Sequence, residues 1–212
     1  MSASGPPRVQ RYVDLAAQIL KLSPSCGQTR LVAVDGPGGS GKSTFARRLS
    51  AALGGAPVVH TDDFASWDNQ FEWWPRLLDQ VIAPLSQSAT GRYQRYDWVA
   101  RTFAEWHDVP AAAAVVVEGV GAARREFAAD LSAAIWVETP ADLRLRRGIE
   151  RDGEAMREFW AKWIDGETRH YAEHDTRERA NLIVSGDPQG TLAAHDPETE
   201  FVALTATAFS PF

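Results

Sequence analysis

Residues 36 to 44, Gly-Pro-Gly-Gly-Ser-Gly-Lys-Ser-Thr, constrain this chain more than any other stretch of its sequence. They satisfy G-x-x-x-x-G-K-[ST], with Gly36, Gly41, Lys42 and Ser43 in the four fixed positions. The apolar, β-branched run Leu31–Asp35 precedes the motif, and Phe45–Leu53 behind it has helix-forming composition. Strand, loop and helix are therefore expected in succession, the context in which this motif holds a polyphosphate.

The residue types follow from what holding a polyanion requires. Gly36, Gly38, Gly39 and Gly41 allow backbone conformations denied to residues with a Cβ, so successive amides can turn inward as an anion-binding nest. The helix starting there adds unpaired amides and the positive end of its dipole. Lys42 is expected to reach the β and γ oxygens of a nucleoside triphosphate, and the Ser43 hydroxyl to ligate magnesium. The nucleotide-binding set is thus Gly36, Gly38, Gly39, Ser40, Gly41, Lys42, Ser43 and Thr44. An ordinary Gly-rich turn capped by Ser or Thr is the competing account, and Lys42 with the preceding strand argues against it.

A chain of 212 residues suits one sizeable core, so a single domain over residues 1–212 is expected. The formal net charge of -6 argues against nucleic acid as a partner, because such binding needs a positive surface. Cys26 is the only cysteine, which excludes an intrachain disulfide and suits a reducing cytoplasm. Residues 1–8 lack a basic segment followed by an apolar one, and the longest apolar run, Ala111–Val117, is too short to span a bilayer; no targeting and no membrane partner are expected.

Four more strands are read at Pro57–His60, Ala113–Glu118, Ala134–Glu138 and Asn181–Val184, all short continuous apolar runs of the kind buried on both sheet faces. Helices are expected at Val9–Leu22, Lys42–Leu53, Pro75–Ser86, Ala123–Asp130, Ala141–Asp152 and Glu154 to about Arg179. The class is α/β, with the helices as crossovers of a parallel sheet. The tail from Asp187 reads as a loop ending in an edge strand at Val202–Phe209.

In an open parallel sheet ligands bind beyond the carboxyl ends of the strands. Asp62 and Asp63 follow the second strand, where either is placed to accept a hydroxyl's proton during phosphoryl transfer. Glu118 closes the third strand and offers hard oxygens suited to magnesium. Helix-cap or turn roles are the plain alternatives for all three. Arg144, Arg147 and Arg151 share one helical face, either a phosphate clamp or a solvated basic surface.

Trp67, Trp73, Trp74, Trp98 and Trp106 fall between the second and third strands, either as core or as walls of a pocket for a planar group, with Asp68, Glu72, Arg95 and Asp97 as polar candidates. His170-Tyr171-Ala172-Glu173-His174 matches H-x-x-E-H, a zinc pattern. The apolar stripe Met156, Phe159, Trp160, Trp163, Ile164 and Tyr171 on the same helix, and the lack of a downstream third-ligand motif, favour a solvated helix end there.

With these residues in place, the chain resembles the uridine kinase and phosphoribulokinase group of phosphate-loop kinases from about Arg30 to Gly186. The likeness is carried by the Gly36–Thr44 loop, Asp62-Asp63-Phe64, Tyr96-Asp97-Trp98, Val117-Glu118-Gly119, the Arg144–Asp152 run and Thr176–Gly186. The resemblance implies a three-layer phosphate-loop fold: a five-stranded parallel sheet in the order 2-3-1-4-5, a core over about 30–186, an N-terminal helix over 8–22, an acceptor-binding insertion over about 64–108, a lid over about 141–155 and a tail over 187–212. It implies Asp62 as the base, Lys42, Arg147 and Arg151 as further catalytic groups, Ser43 and Glu118 as magnesium ligands, and ATP with Mg2+ as donor and metal. Tyr96 and Trp98 match aromatics of the acceptor pocket, with Asp63 beside them. Asp68 and Glu72 are both candidates for a ribose-binding acid.

Arg101 stands where uridine kinases place a base-recognising histidine, so it is expected to favour an anionic or carbonyl-rich acceptor. The function implied is ATP-dependent phosphoryl transfer to a hydroxyl of a small molecule such as a nucleoside. The rivals are a kinase for pantothenate, a sugar acid or a nucleotide, and a non-catalytic ATP-binding module.

Overall fold

The first strand expected from the sequence lies inside a seven-stranded sheet, third from one edge. The computed structural model describes residues 6–206. Strand β1 (Arg8–Arg11) is followed by β2 (Arg30–Asp35), β3 (Val58–His60), β4 (Gly91–Asp97), β5 (Thr102–Val109), β6 (Ala114–Glu118), β7 (Leu131–Glu138), β8 (Leu182–Ser185) and β9 (Glu200–Ala206). The large sheet runs β1-β9-β8-β7-β2-β6-β3, and β4 with β5 forms a separate hairpin. Strands β3, β6, β2, β7 and β8 are mutually parallel, while β9 and β1 are added antiparallel at one side. The five parallel strands lie in the expected order 2-3-1-4-5, and of the two added strands the tail strand is expected from the sequence and β1 is not.

Alternation along β2 builds a core on each face. Leu31 and Ala33 face one side, packed with Val115, Val117, Trp73 and Leu77. Val32 and Val34 face the other, against Phe45 and Leu49 of helix α2 (Lys42–Ala52) and Leu15 and Ile19 of α1 (Tyr12–Ile19). Burying each large side chain contributes roughly 1.5–3 kcal/mol, so central strands covered on both faces hold the loop's base rigidly.

The segment 74–86 is one helical stretch: α3 (Trp74–Leu77), a π turn (Leu78–Ile82) and α4 (Ala83–Ser86). Beyond β7 come α5 (Ala141–Asp152), α6 (Arg157–His174) and α7 (Thr176–Arg179). Asp175, with φ at +48°, separates α6 from α7, and Gly153 (φ +92°) with a 3-10 turn at Glu154–Met156 separates α5 from α6. The single helix expected over Glu154 to Arg179 is thus broken.

Three further expectations are corrected. The helix read from Val9 begins only at Tyr12, because residues 8–11 pair with β9, Val9 opposite Val202. Ala123–Asp130 is not an α-helix but a 3-10 segment, Arg125–Asp130, interrupted where Phe127 leaves helical geometry (φ -126°) with its ring fully buried. The tail strand is not an edge: β9 lies between β8 and β1, and residues 207–209 of the expected strand fall outside the described residues. Among the described residues no helix is long and apolar enough to cross a membrane.

Candidate active site

Strand β2 ends at Asp35, and its buried carboxylate organises the loop. It accepts the Gly36 N–H at 2.7 Å, Gly121 N–H at 3.1 Å, Ala123 N–H at 2.8 Å and the Tyr171 hydroxyl at 3.0 Å. Burial raises its pKa, and these donors with Lys42 pull against that rise. The loop that follows admits only glycine at its tight points. Gly39 has φ +75°, and a Cβ there would lie 2.5 Å from the Arg144 carbonyl oxygen; Gly36 has φ +143° and its Cβ would lie 2.6 Å from that of Val137. Gly41, at φ +98°, caps α2, whose first residue Lys42 is buried and donates from Nζ to the Pro37 carbonyl at 3.1 Å.

One acid, Glu118, gathers two polar side chains at the carboxyl edge of the sheet. Register pairs His60 of β3 with Glu118 of β6, so their side chains meet at the sheet's carboxyl edge. Ser43 Oγ donates to Glu118 Oε1 at 2.9 Å, and His60 Nδ1 lies 2.7 Å from Oε2. Burial pushes Glu118 up, but His60, Lys42 and Ser43 together hold it below the ordinary carboxylate range. Hydroxyl and carboxylate oxygens side by side are the hard donor set that magnesium takes. Ser43 and Glu118 thus fit the ion.

Asp62 sits in the 3-10 turn after β3. Its carbonyl accepts from Trp98 Nε1 at 3.2 Å, while its carboxylate has no hydrogen bond or close ion pair among the described residues. Solvent reaches it through the cleft, yet protein surrounds it closely, and this desolvation raises its pKa against the fields of Lys42 and Arg151. Asp63 is turned the other way. Its Oδ2 accepts the Tyr93 hydroxyl at 2.8 Å, tying the turn to the β4–β5 hairpin, and Asp63 does not line the cleft.

A cleft of about 800 Å³ joins these parts. Its middle is lined by Gly38, Gly39, Gly41, Lys42, Ser43, Thr44 and Glu118, and Asp62, Trp67, Trp98, Phe159, Trp160 and Trp163 also line it. Tyr12, Arg48, Gly186, His195 and Phe201 line it as well, so α1, β9 and the segment before β9 take part. Gly36 and Ser40 of the loop do not line the cleft, the Ser40 carbonyl accepting from Thr139 Oγ1 at 2.9 Å. Arg147 and Arg151 line the cleft, whereas Arg144 turns to the Thr139 carbonyl at 3.1 Å. Arg147 donates to the carbonyls of Gly39 (3.4 Å) and Gly186 (3.2 Å), and Arg151 pairs with Asp152 at 2.7 Å.

The acceptor-side expectations divide. Trp98 lines the cleft, braced by Trp67, whose Nε1 donates to the Trp98 carbonyl at 2.9 Å. Tyr96 is buried behind it, edge-on to Trp98 and Phe103, and does not line the cleft. Asp68 is exposed and also outside the lining. Arg101 is displaced for a backbone reason. It occupies a left-handed position (φ +55°) in the β4–β5 turn, where it is exposed and stacks 5.1 Å over the Trp67 ring without lining the cleft.

The H-x-x-E-H helix end differs from the solvated one expected. His170 and His174 are buried with ring centroids 4.3 Å apart, and Glu173 is exposed. One residue of the site escaped the sequence reading altogether. Glu167 of α6 is buried at 2% exposure, and its Oε1 accepts both the Gly38 N–H and Trp163 Nε1 at 2.5 Å. Its only sequence signal is an acid at helical spacing from Trp160 and Trp163 within an apolar stripe.

No family model matches the sequence, and no curated protein matches it. Solved structures do. A possible uridine kinase from Bacillus stearothermophilus aligns with 21% identity and a TM-score of 0.57, covering 81% of this chain and 96% of that one. A protein described as a fructose transport system kinase, from a Silicibacter species, aligns with 21% identity and a TM-score of 0.54, covering 81% and 95%. The chain shares its fold with both. That shared fold is α/β, with a mostly parallel central sheet flanked by helices.

Proposed function

We propose that this protein is an ATP- and magnesium-dependent kinase that phosphorylates a hydroxyl of an uncharged small molecule, with a nucleoside as the leading candidate. The observation that carries the reading is the single cleft in which the phosphate loop, the Ser43–Glu118 pair and the unpaired Asp62 carboxylate all lie. The two solved neighbours, one named as a possible uridine kinase and the other as a fructose transport system kinase, agree with it.

In this mechanism the loop amides and Lys42 grip the donor's phosphates, and Ser43 and Glu118 hold magnesium, which when bound neutralises charge on the transferring group. Asp62 takes the acceptor's proton, for which a raised pKa suits it. Arg147 and Arg151 meet charge that spreads over the phosphoryl oxygens. The aromatic wall, Trp67, Trp98, Phe159 and Trp163, holds the acceptor by its faces. The indole N–H groups of Trp67, Trp98 and Trp163 are already spent on protein oxygens, and Arg101 stacks on Trp67 outside the cleft lining, so the wall suits an uncharged acceptor better than an anionic one.

The test is incubation with MgATP and a panel of nucleosides, sugars and other hydroxyl compounds, with product analysis. Acceptor-dependent ADP release with a phosphorylated product supports the reading. Tight ATP binding with no turnover on any acceptor sinks it and leaves a regulatory nucleotide-binding module.

A further inference from the structure

Helix α6 hydrogen-bonds a backbone amide of the phosphate loop through a side chain that lies outside the loop's own motif. Glu167 Oε1 accepts the Gly38 N–H and the Trp163 indole N–H, each at 2.5 Å, and Oε2 lies 3.5 Å from Arg144 Nη1. Gly38 and Trp163 both line the cleft, the first in the loop and the second in the aromatic wall. Trp163 in turn packs on Phe71 and Phe159, with centroids 5.1 and 5.9 Å away. One carboxylate oxygen therefore bridges the donor side and the acceptor side of the site.

That position is electrostatically costly. Burial raises the Glu167 pKa, and Lys42, the ammonium that would serve a donor's terminal phosphates, is among the groups pulling it back down. A loop amide and a lysine are the partners a phosphate wants, so a carboxylate using them competes with it. A residue needed only for folding would be better placed elsewhere as an amide or an apolar side chain.

Resting on the kinase reading above, we infer that Glu167 is a positioning residue that couples occupancy of the phosphate loop to the acceptor wall. A terminal phosphate reaching Gly38 displaces the carboxylate from that N–H. Trp163, bonded to the same oxygen, shifts with it, and the wall that grips the acceptor responds to whether a triphosphate is present. Tyr171, one turn further along α6 and bonded to Asp35 at 3.0 Å, keeps the helix attached to the loop while this contact changes.

The experiment compares MgADP with a non-hydrolysable MgATP analogue, by calorimetry and by tryptophan emission, in the full-length protein and in Glu167→Gln, Glu167→Ala and Trp163→Phe. The wild type should show an emission change with the triphosphate analogue that MgADP does not produce. All three variants should lose that difference while still binding both nucleotides. Glu167→Gln, which keeps the shape and removes the charge, should also bind the analogue at least about threefold more tightly relative to MgADP than the wild type does. A triphosphate-specific signal that survives in Trp163→Phe or Glu167→Ala, or its absence from the wild type, overturns the inference. So does a Glu167→Gln variant that weakens both nucleotides alike, the mark of a merely structural contact. Because no acceptor enters the measurement, the signal can be present in a protein that phosphorylates nothing, which would sink the kinase reading and leave the coupling standing.

Discussion

Ser43 Oγ donates a 2.9 Å hydrogen bond to Glu118 Oε1, across the gap between the start of α2 and the end of β6. Two oxygens held this close, one of them on a carboxylate kept ionised, form an incipient cation site. Turnover should stop on chelation with EDTA and return when magnesium is restored. Glu118→Gln keeps the contact with Ser43 but loses the charge, so the magnesium concentration for half-maximal activity should rise about tenfold or more. Magnesium titration of ADP release checks this, and an unchanged titration would place the metal elsewhere.

Asp62 differs from its neighbour in that its carboxylate has no hydrogen bond or close ion pair among the described residues. Asp63 spends its carboxylate on Tyr93, and Asp62 is open to the cleft. Asp62→Asn should lower kcat about 100- to 10,000-fold, the usual worth of a general base, with MgATP affinity within a few fold of wild type. Asp63→Asn should act mainly on stability by weakening the tie to the hairpin. Steady-state kinetics beside nucleotide calorimetry separate the two, and equal effects of both substitutions on kcat would remove the distinction.

The stacking of Arg101 on Trp67, 5.1 Å from the guanidinium carbon to the ring centroid, decides which acceptors the wall can take. With that cation held on Trp67 outside the cleft lining, panthenol should outperform pantothenate, and uridine should outperform its carboxylated analogue orotidine, by about tenfold or more in kcat/KM wherever either member of a pair is turned over. Arg101→Ala should leave these ratios unchanged. A preference for the carboxylates that vanishes in Arg101→Ala would mean that the turn reorganises to bring the arginine in.

Chemistry at fixed spacing was legible in the sequence, and direction was not. The loop at residues 36–44, Asp62 after β3 and Glu118 at the end of β6 could be placed on one cleft because their residue types and order follow the strand ends of a parallel sheet. The central strands could be read because burial on both faces makes them continuous apolar runs. The β4–β5 hairpin could not, since β5 exposes Phe103, Glu105 and Trp106 alike and has no apolar face to alternate. Pairing of β1 with β9 joins opposite ends of the described chain, which no local pattern announces. Arg101 was legible as a cation but not as a left-handed turn residue, and Glu167, an acid in an apolar stripe, gave no sign that a loop amide awaited it.

His170 makes the fold acid-sensitive from outside the proposed chemistry. Its ring is buried against Phe71 and His174, its Nε2 has no hydrogen-bond partner among the described residues, and burial, aided by His174 and Arg124, depresses its pKa to about 3. Between that value and the ordinary histidine range the unfolded chain binds a proton that the folded chain does not. Stability is therefore intact above about pH 6.5 and falls by up to about 1.4 kcal/mol per pH unit as the solution is acidified towards the folded value. His170→Phe replaces the imidazole by a ring that does not titrate, so its denaturant midpoint should decline less steeply between pH 7 and pH 4.5. Part of the slope should remain because His174 is also held below its usual value by burial. Urea unfolding of both proteins across that range measures the difference, and parallel pH profiles would show that His170 takes up its proton in the folded state.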